Sequence, residues 1–423
     1  MQLTEQHVIE RNDPRFAIID VAAFKSKNLY NAALYEMRQA FIFQRKRLSY
    51  RQMDQRMQSH EAYWALPAKV SQQVLKQLDA AWTSYFEACA SYQQDPSRFT
   101  GPPKLPKYQH KTEGRNLLVY TLQAISGRRT GGKKTLQQGI IKLSQLPISV
   151  QTKQDPATIN QVCIVPRHGH YVVEIIYRKE LVQMQVDPLF CVAIDLGITN
   201  FAAITSNRAG IIPRLVNGRP LKAWNQWYNK RMKGLKLCLP KEDRERVTKQ
   251  MEQITNKRNR RVQYYLHAAS KAIIDFLVKE GVGTIIVGKN PLWKQEVRMG
   301  KRTNQNFVAI PHARFIDMLI YKASLVGIQV EVQEESYTSR ASFLDLDPIP
   351  TYQFDDDTEC TFSRKRMGRR NRLYRTKDGQ IICADVNGSY NILRKRKPDV
   401  FAHVDAKGIA AYVVQPLRLS LTV

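Results

Sequence analysis

The chain has 423 residues, which is enough for one to three domains, each with a sizeable core. It carries 66 Lys and Arg against 37 Asp and Glu, a formal net charge of +29. Such a charge favours a polyanionic partner. Nucleic acid is preferred to an anionic membrane surface, because no basic amphipathic helix stands apart from the rest and no lipidation signal appears. No apolar run approaches the about 20 residues that span a bilayer. The six cysteines include no CxxC pair, so reduced thiols in a cytosolic protein are expected and a four-thiolate zinc site is excluded.

Two predicted helices dominate the first hundred or so residues. They cover Asn28–Arg47 and Pro67–Tyr92. The second has a proline at the expected first-turn position and repeats large apolar residues at helical spacing from Val70 to Trp82. The pattern therefore predicts a helical bundle over about residues 25–98.

A linker rich in Pro and Lys follows at Thr100–Lys111, and short strand-like runs lie between Asn116 and Tyr177. Strands at such regular spacing predict a small antiparallel β-barrel. The first domain is thus expected to be a wedge-type barrel over residues 1–187, into which the helical bundle is inserted near the start.

In residues 188–423 strands alternate with helices, which predicts a sheet covered on both faces. The run Phe190–Asp195 is apolar up to its final carboxylate, as in a central strand that is buried on both sides. Further strands are predicted at Thr284–Val287 and Ile328–Gln333, after a basic helical insertion at about residues 217–281.

Carboxylates stand at the ends of these elements, where Asp195 closes the first central strand and Asp385 opens the last helix. Cleavage of a phosphodiester with two divalent ions needs clustered carboxylates at strand ends, and Mg²⁺ prefers such hard oxygen ligands. A single Asp after an apolar run is common in α/β folds, so Asp195 alone is weak evidence for a nuclease.

The surroundings of both residues resemble motifs of one family. VAIDLGITNFAAI, with Asp195, is similar to the first RuvC motif of TnpB and its relatives, the type V CRISPR effectors. ADVNGSYNILRK, with Asp385, is similar to their third motif, and two motifs in the right order reinforce each other. The resemblance implies an RNase H-like (RuvC) α/β domain over residues 188–423, and so an α+β multidomain chain.

The second motif departs from the family pattern, in which an apolar strand ends in a catalytic Glu. Here that strand ends in Gly288, but the next strand leads into Glu334 and Glu335 in the context EESYTS, where some TnpB-like proteins carry the Glu instead. Adjacent residues of a regular strand point to opposite sides, so only one should reach the metals. Glu335 is the preferred ligand. The alternatives are Glu334, the loop residue Glu296, and a site without a third carboxylate.

The family also has a four-cysteine zinc ribbon before its third motif. The corresponding segment, about residues 338–383, has only Cys360 and Cys383, so it is expected to be degenerate and free of zinc. Its basic run suits a strip that binds a nucleic-acid backbone, as does the long helix before it. The residues expected to contact nucleic acid are Lys257, Arg258, Arg260, Arg261, Arg364, Arg366, Arg369 and Arg370.

The resemblance implies an RNA-guided DNA endonuclease encoded by a transposon and acting in the prokaryotic cytosol or nucleoid. It would hold a guide RNA derived from the transposon end and recognise a short motif beside the target in double-stranded DNA. It would cut by two-metal hydrolysis, with Asp195, Glu335 and Asp385 binding two Mg²⁺ ions.

Three other functions are weighed against this one. A nuclease-inactive, RNA-guided repressor is favoured by Gly288. A DNA strand-transfer transposase would have its acidic residues in the order Asp, Asp, Glu, whereas here the Glu comes second. A structural RNA-binding protein would explain the charge but not the acidic residues at the strand ends.

Overall fold

The structure is a computed structural model that describes residues 1–126, 139–290, 309–351, 361–363, 372–401 and 415–421. Within these residues no helix is both long enough and apolar enough to cross a membrane. The chain divides into two compact units, Met1–Lys179 and Glu180–Val423.

The division falls before the 187/188 boundary expected from the sequence. The reason lies in the backbone of the connecting segment. The N–H groups of Val182 and Met184 donate to the carbonyls of Leu325 and Val326, so this segment already belongs to the second unit.

The first unit contains two antiparallel sheets. Its four-stranded sheet has the order β1-β7-β6-β2, and its three-stranded sheet has the order β3-β4-β5. The strands are β1 (Gln2–Glu10), β2 (Leu118–Thr121), β3 (Ile125–Ser126), β4 (Ile140–Leu143), β5 (Leu146–Gln151), β6 (Ile159–Arg167) and β7 (His170–Arg178).

Helices fill the interval between β1 and β2. They are α1 (Arg15–Gln44), α2 (Tyr50–Met57), α3 (Glu61–Trp64) and α4 (Ala68–Gln94). The helical insertion therefore begins about ten residues earlier than the sequence indicates, because Ile19, Ala22 and Ala23 add helical turns whose apolar side chains enter the same core.

The second unit is built on a mixed sheet with the strand order β12-β11-β8-β9-β10-β15. Strands β8, β9 and β10 form an antiparallel meander, whereas β11 runs parallel to β8 and β12 runs parallel to β11. The strands are β8 (Asp187–Leu196), β9 (Asn200–Ser206), β10 (Arg214–Asn217), β11 (Val282–Gly288), β12 (Gln329–Gln333) and β15 (Leu417–Arg418), with a separate hairpin of β13 (Leu373–Arg375) and β14 (Ile381–Cys383).

Helices cover both faces of this sheet, as the alternating pattern predicts. They are α5 (Arg219–Leu237), α6 (Lys249–Lys279), α7 (His312–Ser324) and α8 (Ala384–Arg396). Along β8, Val192 and Ile194 enter the core formed with α6 and α7, whereas Cys191 and Ala193 pack with Ile392 of α8. β8 is thus a central strand buried on both sides, and α8 lies on the face opposite α6 and α7.

The helical core of the first unit is centred on Trp82, which is 0% exposed and lies in edge contact with Phe41 and Tyr85. We expect Trp82→Ala to lower the free energy of unfolding by about 3–5 kcal/mol, because it removes a large buried ring and leaves a cavity. Phe43→Ala is the matched control, since Phe43 is 75% exposed on α1 and its removal should change stability by less than about 0.5 kcal/mol. Denaturant titration of both variants would contradict this packing if the two losses were equal.

Candidate active site

Three parallel strands of the second unit end at the same edge of the sheet. Gly288 of β11 pairs with Gln333 of β12, and the residue before Gly288 pairs with Ile194 of β8. Asp195, the next residue of β8, and Glu335, just beyond β12, are therefore brought to one edge. The carboxyl ends of the strands are where open α/β sheets bind their ligands.

Helix α8 crosses this edge and carries the remaining acidic residue of the motifs, Asp385, in its first turn. The hydroxyl of Ser389 fixes the helix on the sheet, since it lies 3.0 Å from the carbonyl oxygen of Ala193 and 3.1 Å from that of Ala203. Gly388 lies against Asp195, because a Cβ at that position would come within 2.9 Å of Asp195 Oδ2. One helical turn therefore separates Asp385 from the point where α8 meets Asp195.

The carboxylate of Asp385 is held by two side chains. Its Oδ2 accepts a hydrogen bond from Asn200 Nδ2 at 2.7 Å and another from Arg372 Nη1 at 3.3 Å. Asn200 begins β9 and is the last residue of the LGITN turn, so an amide ties the first motif to the third. Arg372 comes just before the β13–β14 hairpin. It adds a cation beside the edge of the sheet that carries Asp195, Glu335 and Asp385, here called the acidic edge.

Glu335 occupies the space that a side chain at residue 288 would need. A Cβ built on Gly288 would overlap Oε2 of Glu335 and would lie 2.6 Å from Ile392 Cδ1. The glycine is therefore required by close packing and not by an unusual backbone angle. This placement supports the expectation that a glutamate from the next strand takes over the position vacated at Gly288.

The environment of Glu335 disfavours its charge. Oε2 is buried and has no hydrogen-bond partner among the described residues. The pKa of Glu335 is raised to about 8, mainly by burial and also by the charges of Asp195 and Glu334, whereas the charge of Lys395 lowers it. An unpartnered carboxylate oxygen beside a second carboxylate is a pair of donors suited to a divalent cation.

The neighbouring Glu334 is committed to another contact. Its Oε2 lies 2.5 Å from Lys395 Nζ, and its Oε1 accepts the backbone N–H of Ser336 at 2.5 Å. Although burial favours protonation, the hydrogen bonds from Lys395 and Ser336 lower the pKa of Glu334 below its usual value. The structure thus distinguishes the two glutamates: Glu334 is ion-paired, whereas Glu335 faces Asp195.

Lys395 organises this turn from the last part of α8. Its side chain is only 5% exposed. Besides Glu334, the ammonium donates to the carbonyls of Ser336 and Pro350 at 3.0 and 2.9 Å. It therefore determines the direction of the chain on both sides of Glu335.

The asparagines of the third motif hold the chain that follows. Asn387 donates to the carbonyl of Ala341 at 2.7 Å and accepts the N–H of Phe343 at 2.9 Å. Asn391 donates to the carbonyls of Thr338 and Ala341 at 2.9 and 2.7 Å. Both amides are buried, so their contacts position the segment after Glu335.

Carboxylates also anchor the described part of the segment 338–383. Asp347 is 4% exposed and accepts the N–H groups of Ser342 at 2.8 Å and Ser363 at 3.1 Å. Asp345 accepts the N–H of Lys377 at 2.9 Å. Of the two cysteines, Cys383 precedes α8 and Cys360 lies outside the described residues.

The acidic edge brings together two of the three expected metal ligands. Asp195 and Glu335 are close enough for the charge of Asp195 to raise the pKa of Glu335. Asp385, in contrast, accepts hydrogen bonds from Asn200 and Arg372. In the described part of the chain, no three His, Cys, Asp or Glu side chains form a group that could hold a metal ion. The oxygen donors of Asp195 and Glu335 fit Mg²⁺, and Asp385 is the third carboxylate expected in the set.

The expected nucleic-acid contacts divide into three groups. Lys257, Arg260 and Arg261 are exposed on α6. Arg258 points inward, where it donates to Asn225 Oδ1 at 2.8 Å and to the carbonyl of Ala309 at 2.7 Å, so its guanidinium joins α6 to α5 and to the chain before α7. The third group lies outside the described residues: Arg364, Arg366, Arg369 and Arg370. Glu296, the loop residue considered as an alternative metal ligand, also lies outside them.

Sequence reasoning missed three residues that shape this site: Asn200, Arg372 and Lys395. Asn200 and Lys395 stand inside the quoted motifs LGITN and NILRK, and Arg372 stands inside the basic run that was assigned to nucleic acid. The partners of Asn200 and Lys395 lie 185 and 61 residues away along the chain, and that of Arg372 lies 13 residues away beyond a hairpin, so only the folded structure reveals what they bind.

Two family models match the chain, one after the other. The first, described as a probable transposase (OrfB_IS605), matches residues 170–293, and the second, the Cas12f1-like TNB domain, matches residues 312–392. Together they span the first unit's last strand, five of the six described strands of the second unit's sheet, the acidic edge and most of α8. No protein with a curated description matches the sequence.

Solved structures with a similar fold include RNA-guided effectors. A Cas12f1–sgRNA–target DNA complex is 15% identical with a TM-score of 0.51, covering 89% of this chain and 82% of that one. The mini-RNA-guided endonuclease CRISPR-Cas_phi3 is 9% identical with a TM-score of 0.47, covering 99% and 93%. The C2c1 protein of Alicyclobacillus acidoterrestris with a single-guide RNA is 8% identical with a TM-score of 0.41, covering 90% and 70%.

The first of these similarities shows that the chain shares the mixed α/β, multidomain fold of Cas12f. The family models add sequence evidence on both sides of the acidic edge, since one contains Asp195 and the other contains Asp385. The two family models and the similarity in fold together support a TnpB-like family member.

Proposed function

We propose that the chain is an RNA-guided DNA endonuclease whose second unit is an RNase H-like (RuvC) nuclease domain. The observation that carries the proposal is the carboxylate of Glu335, which fills the space above Gly288 and faces Asp195. A meander of three strands followed by two strands added in parallel on the other side supports the RNase H-like arrangement. The two antiparallel sheets of the first unit would form the wedge-type barrel.

The residues that would hold Mg²⁺ are Asp195, Glu335 and Asp385. Bound at such carboxylates, divalent ions lower the pKa of an attacking water and stabilise the charge on the leaving oxygen of a phosphodiester. The protein's own contribution is to orient the ligands. Gly288 leaves room for Glu335, and Lys395 holds Glu334 away from it.

The partners would be a guide RNA derived from the transposon end and double-stranded target DNA. The net charge of +29 supports a partner with many phosphates. The similar Cas12f1 structure contains an sgRNA and target DNA. By analogy, base pairing with the guide would select the sequence here, while the protein would read helix shape and a short adjacent motif.

One observation favours a second function, an RNA-guided repressor that binds without cutting. Asp385 is ion-paired with Arg372, and no group of three potential metal ligands is assembled within the described residues. If Arg372 never releases Asp385, guided binding would be retained and hydrolysis would be lost.

Asp195→Ala and Asp385→Ala test the cutting function directly. Each should lower the rate of Mg²⁺-dependent cleavage of target DNA by more than about a hundredfold, because even residues that support a metal ligand contribute about 10–100-fold. RNA retained through purification should be unchanged. Asp317→Ala, on the exposed surface of α7, is the control and should cut normally.

Full cleavage by either variant would contradict the assignment of the second unit as a RuvC nuclease domain. If the wild-type protein holds RNA and binds target DNA but never cuts it, the repressor is the correct function.

Glu335→Gln tests the relocated ligand. Glutamine keeps the size of the side chain but removes the charge that holds a cation, so cleavage at limiting Mg²⁺ should fall by more than about a hundredfold. Glu334→Gln is the matched control from the adjacent position. It can still bond to Lys395 and Ser336, so its loss should stay below about tenfold. Equal losses of cleavage rate in the two variants would contradict the assignment of Glu335 to the cation and of Glu334 to Lys395.

Gly288→Ala tests whether the glycine makes room for Glu335. The added methyl group would overlap the carboxylate, and a displacement of about 1 Å at a reacting centre can cost about a hundredfold in rate. Gly234→Ala in α5 is the control, since a Cβ there meets nothing within 4 Å. Cleavage assays should separate the two alanine variants, and normal cutting by Gly288→Ala would refute the close packing.

A further inference from the structure

Helix α1 of the first unit carries a stripe of polar side chains on an otherwise largely apolar helix. Lys27, Asn31 and Arg38 follow one another at spacings of four and seven residues, which places them on one face. The stripe is unusual because Lys27 is only 2% exposed. A lysine is seldom buried to this extent unless its ammonium group has a specific partner.

The partner of the stripe is the backbone of the linker that follows the helices, here called the strap (residues 104–111). Asn31 both donates to the carbonyl of Gln109 and accepts its N–H, each at 2.9 Å. Lys27 Nζ donates to the carbonyl of Lys111 at 2.6 Å, and Arg38 donates to the carbonyl of Pro106. The strap is thus attached to α1 by its main chain along its length.

Attachment through the main chain leaves the long side chains of the strap in solvent. Lys104, Lys107 and Lys111 are all exposed, and Tyr108 is 44% exposed with the guanidinium of Arg38 4.7 Å from its ring centre. No acidic residue occurs between Asp95 and Glu113, so nothing nearby in sequence neutralises these lysines. Pro103 and Pro106 further restrict the backbone.

We propose that the strap is a preformed cationic strip that binds the sugar–phosphate backbone of a nucleic acid. Lysines act as point charges towards phosphates and carry no base specificity, whereas the exposed Tyr108 ring is available for stacking on a base. Fixing the strap to α1 in advance lowers the entropy that is lost on binding, and the buried Lys27 contributes to this attachment. The inference rests on the proposed nucleic-acid-binding function but not on cleavage.

The test measures binding of the full-length protein to a short single-stranded RNA of mixed sequence and to DNA of the same sequence. Fluorescence anisotropy would be recorded between about 50 and 200 mM salt. In the triple variant Lys104→Ala, Lys107→Ala and Lys111→Ala, the slope of log affinity against log salt should shrink by about 2, since each phosphate contact on a single strand contributes about 0.7. The RNA and DNA arms show which backbone is bound.

The matched control removes three exposed lysines from strands and loops of the same unit: Lys142→Ala, Lys153→Ala and Lys179→Ala. Its slope should change by less than half as much as that of the strap variant. An equal change would mean that only the overall charge matters, and the strap would have no special role.

Asn31→Ala tests the attachment separately, because it removes two hydrogen bonds to the strap and leaves every charge in place. We expect affinity to fall by about two- to tenfold with an unchanged salt slope, since the same contacts form after a larger loss of entropy. Unaltered binding by both the triple variant and Asn31→Ala would overturn the proposal. A wild-type protein that binds neither RNA nor DNA would instead overturn the proposed function.

Discussion

The candidate active site depends on the close packing of Glu335 against Gly288. Any Cβ at residue 288 would enter the volume of the Glu335 carboxylate, so a glutamate on the next strand is compatible only with glycine on β11. The parallel register of β11 with β12 sets this relation, because it places Gln333 opposite Gly288 and lets the chain turn back over the glycine. The glycine that ends β11 and the glutamate just beyond β12 look independent in sequence, but they depend on one packing contact.

The acidic edge is also an electrostatic arrangement, because carboxylates from β8, from the chain just after β12 and from α8 repel one another. Lys395 binds Glu334, and Arg372 with Asn200 binds Asp385. Asp195 and Glu335 remain facing each other at the centre, and burial together with the charge of Asp195 raises the pKa of Glu335. A buried ion pair such as Glu334 with Lys395 adds little net stability, so its main effect is to fix which of two adjacent carboxylates points inward.

The parts of this fold that follow from local pattern could be predicted, and those that depend on distant partners could not. The apolar run ending at Asp195 correctly predicted a central strand, because burial on both faces leaves a continuous apolar signature. Arg258 shows the limit: it stands among similar basic residues on α6, and only the packing of α5 against α6 turns it inward to Asn225. Lys395 is similar, since its partner Glu334 lies 61 residues earlier.

The described part of the segment between the acidic edge and α8 is held by hydrogen bonds to buried carboxylates and amides. Thiolate–zinc bonds hold a loop only when the ion is present, whereas hydrogen bonds from backbone N–H groups to carboxylates form with folding itself. In this way Asp347 accepts hydrogen bonds from the backbone N–H groups of Ser342 and Ser363. Asn387 and Asn391 hold the chain from Thr338 to Phe343 against α8. These contacts support the turn that carries Glu335.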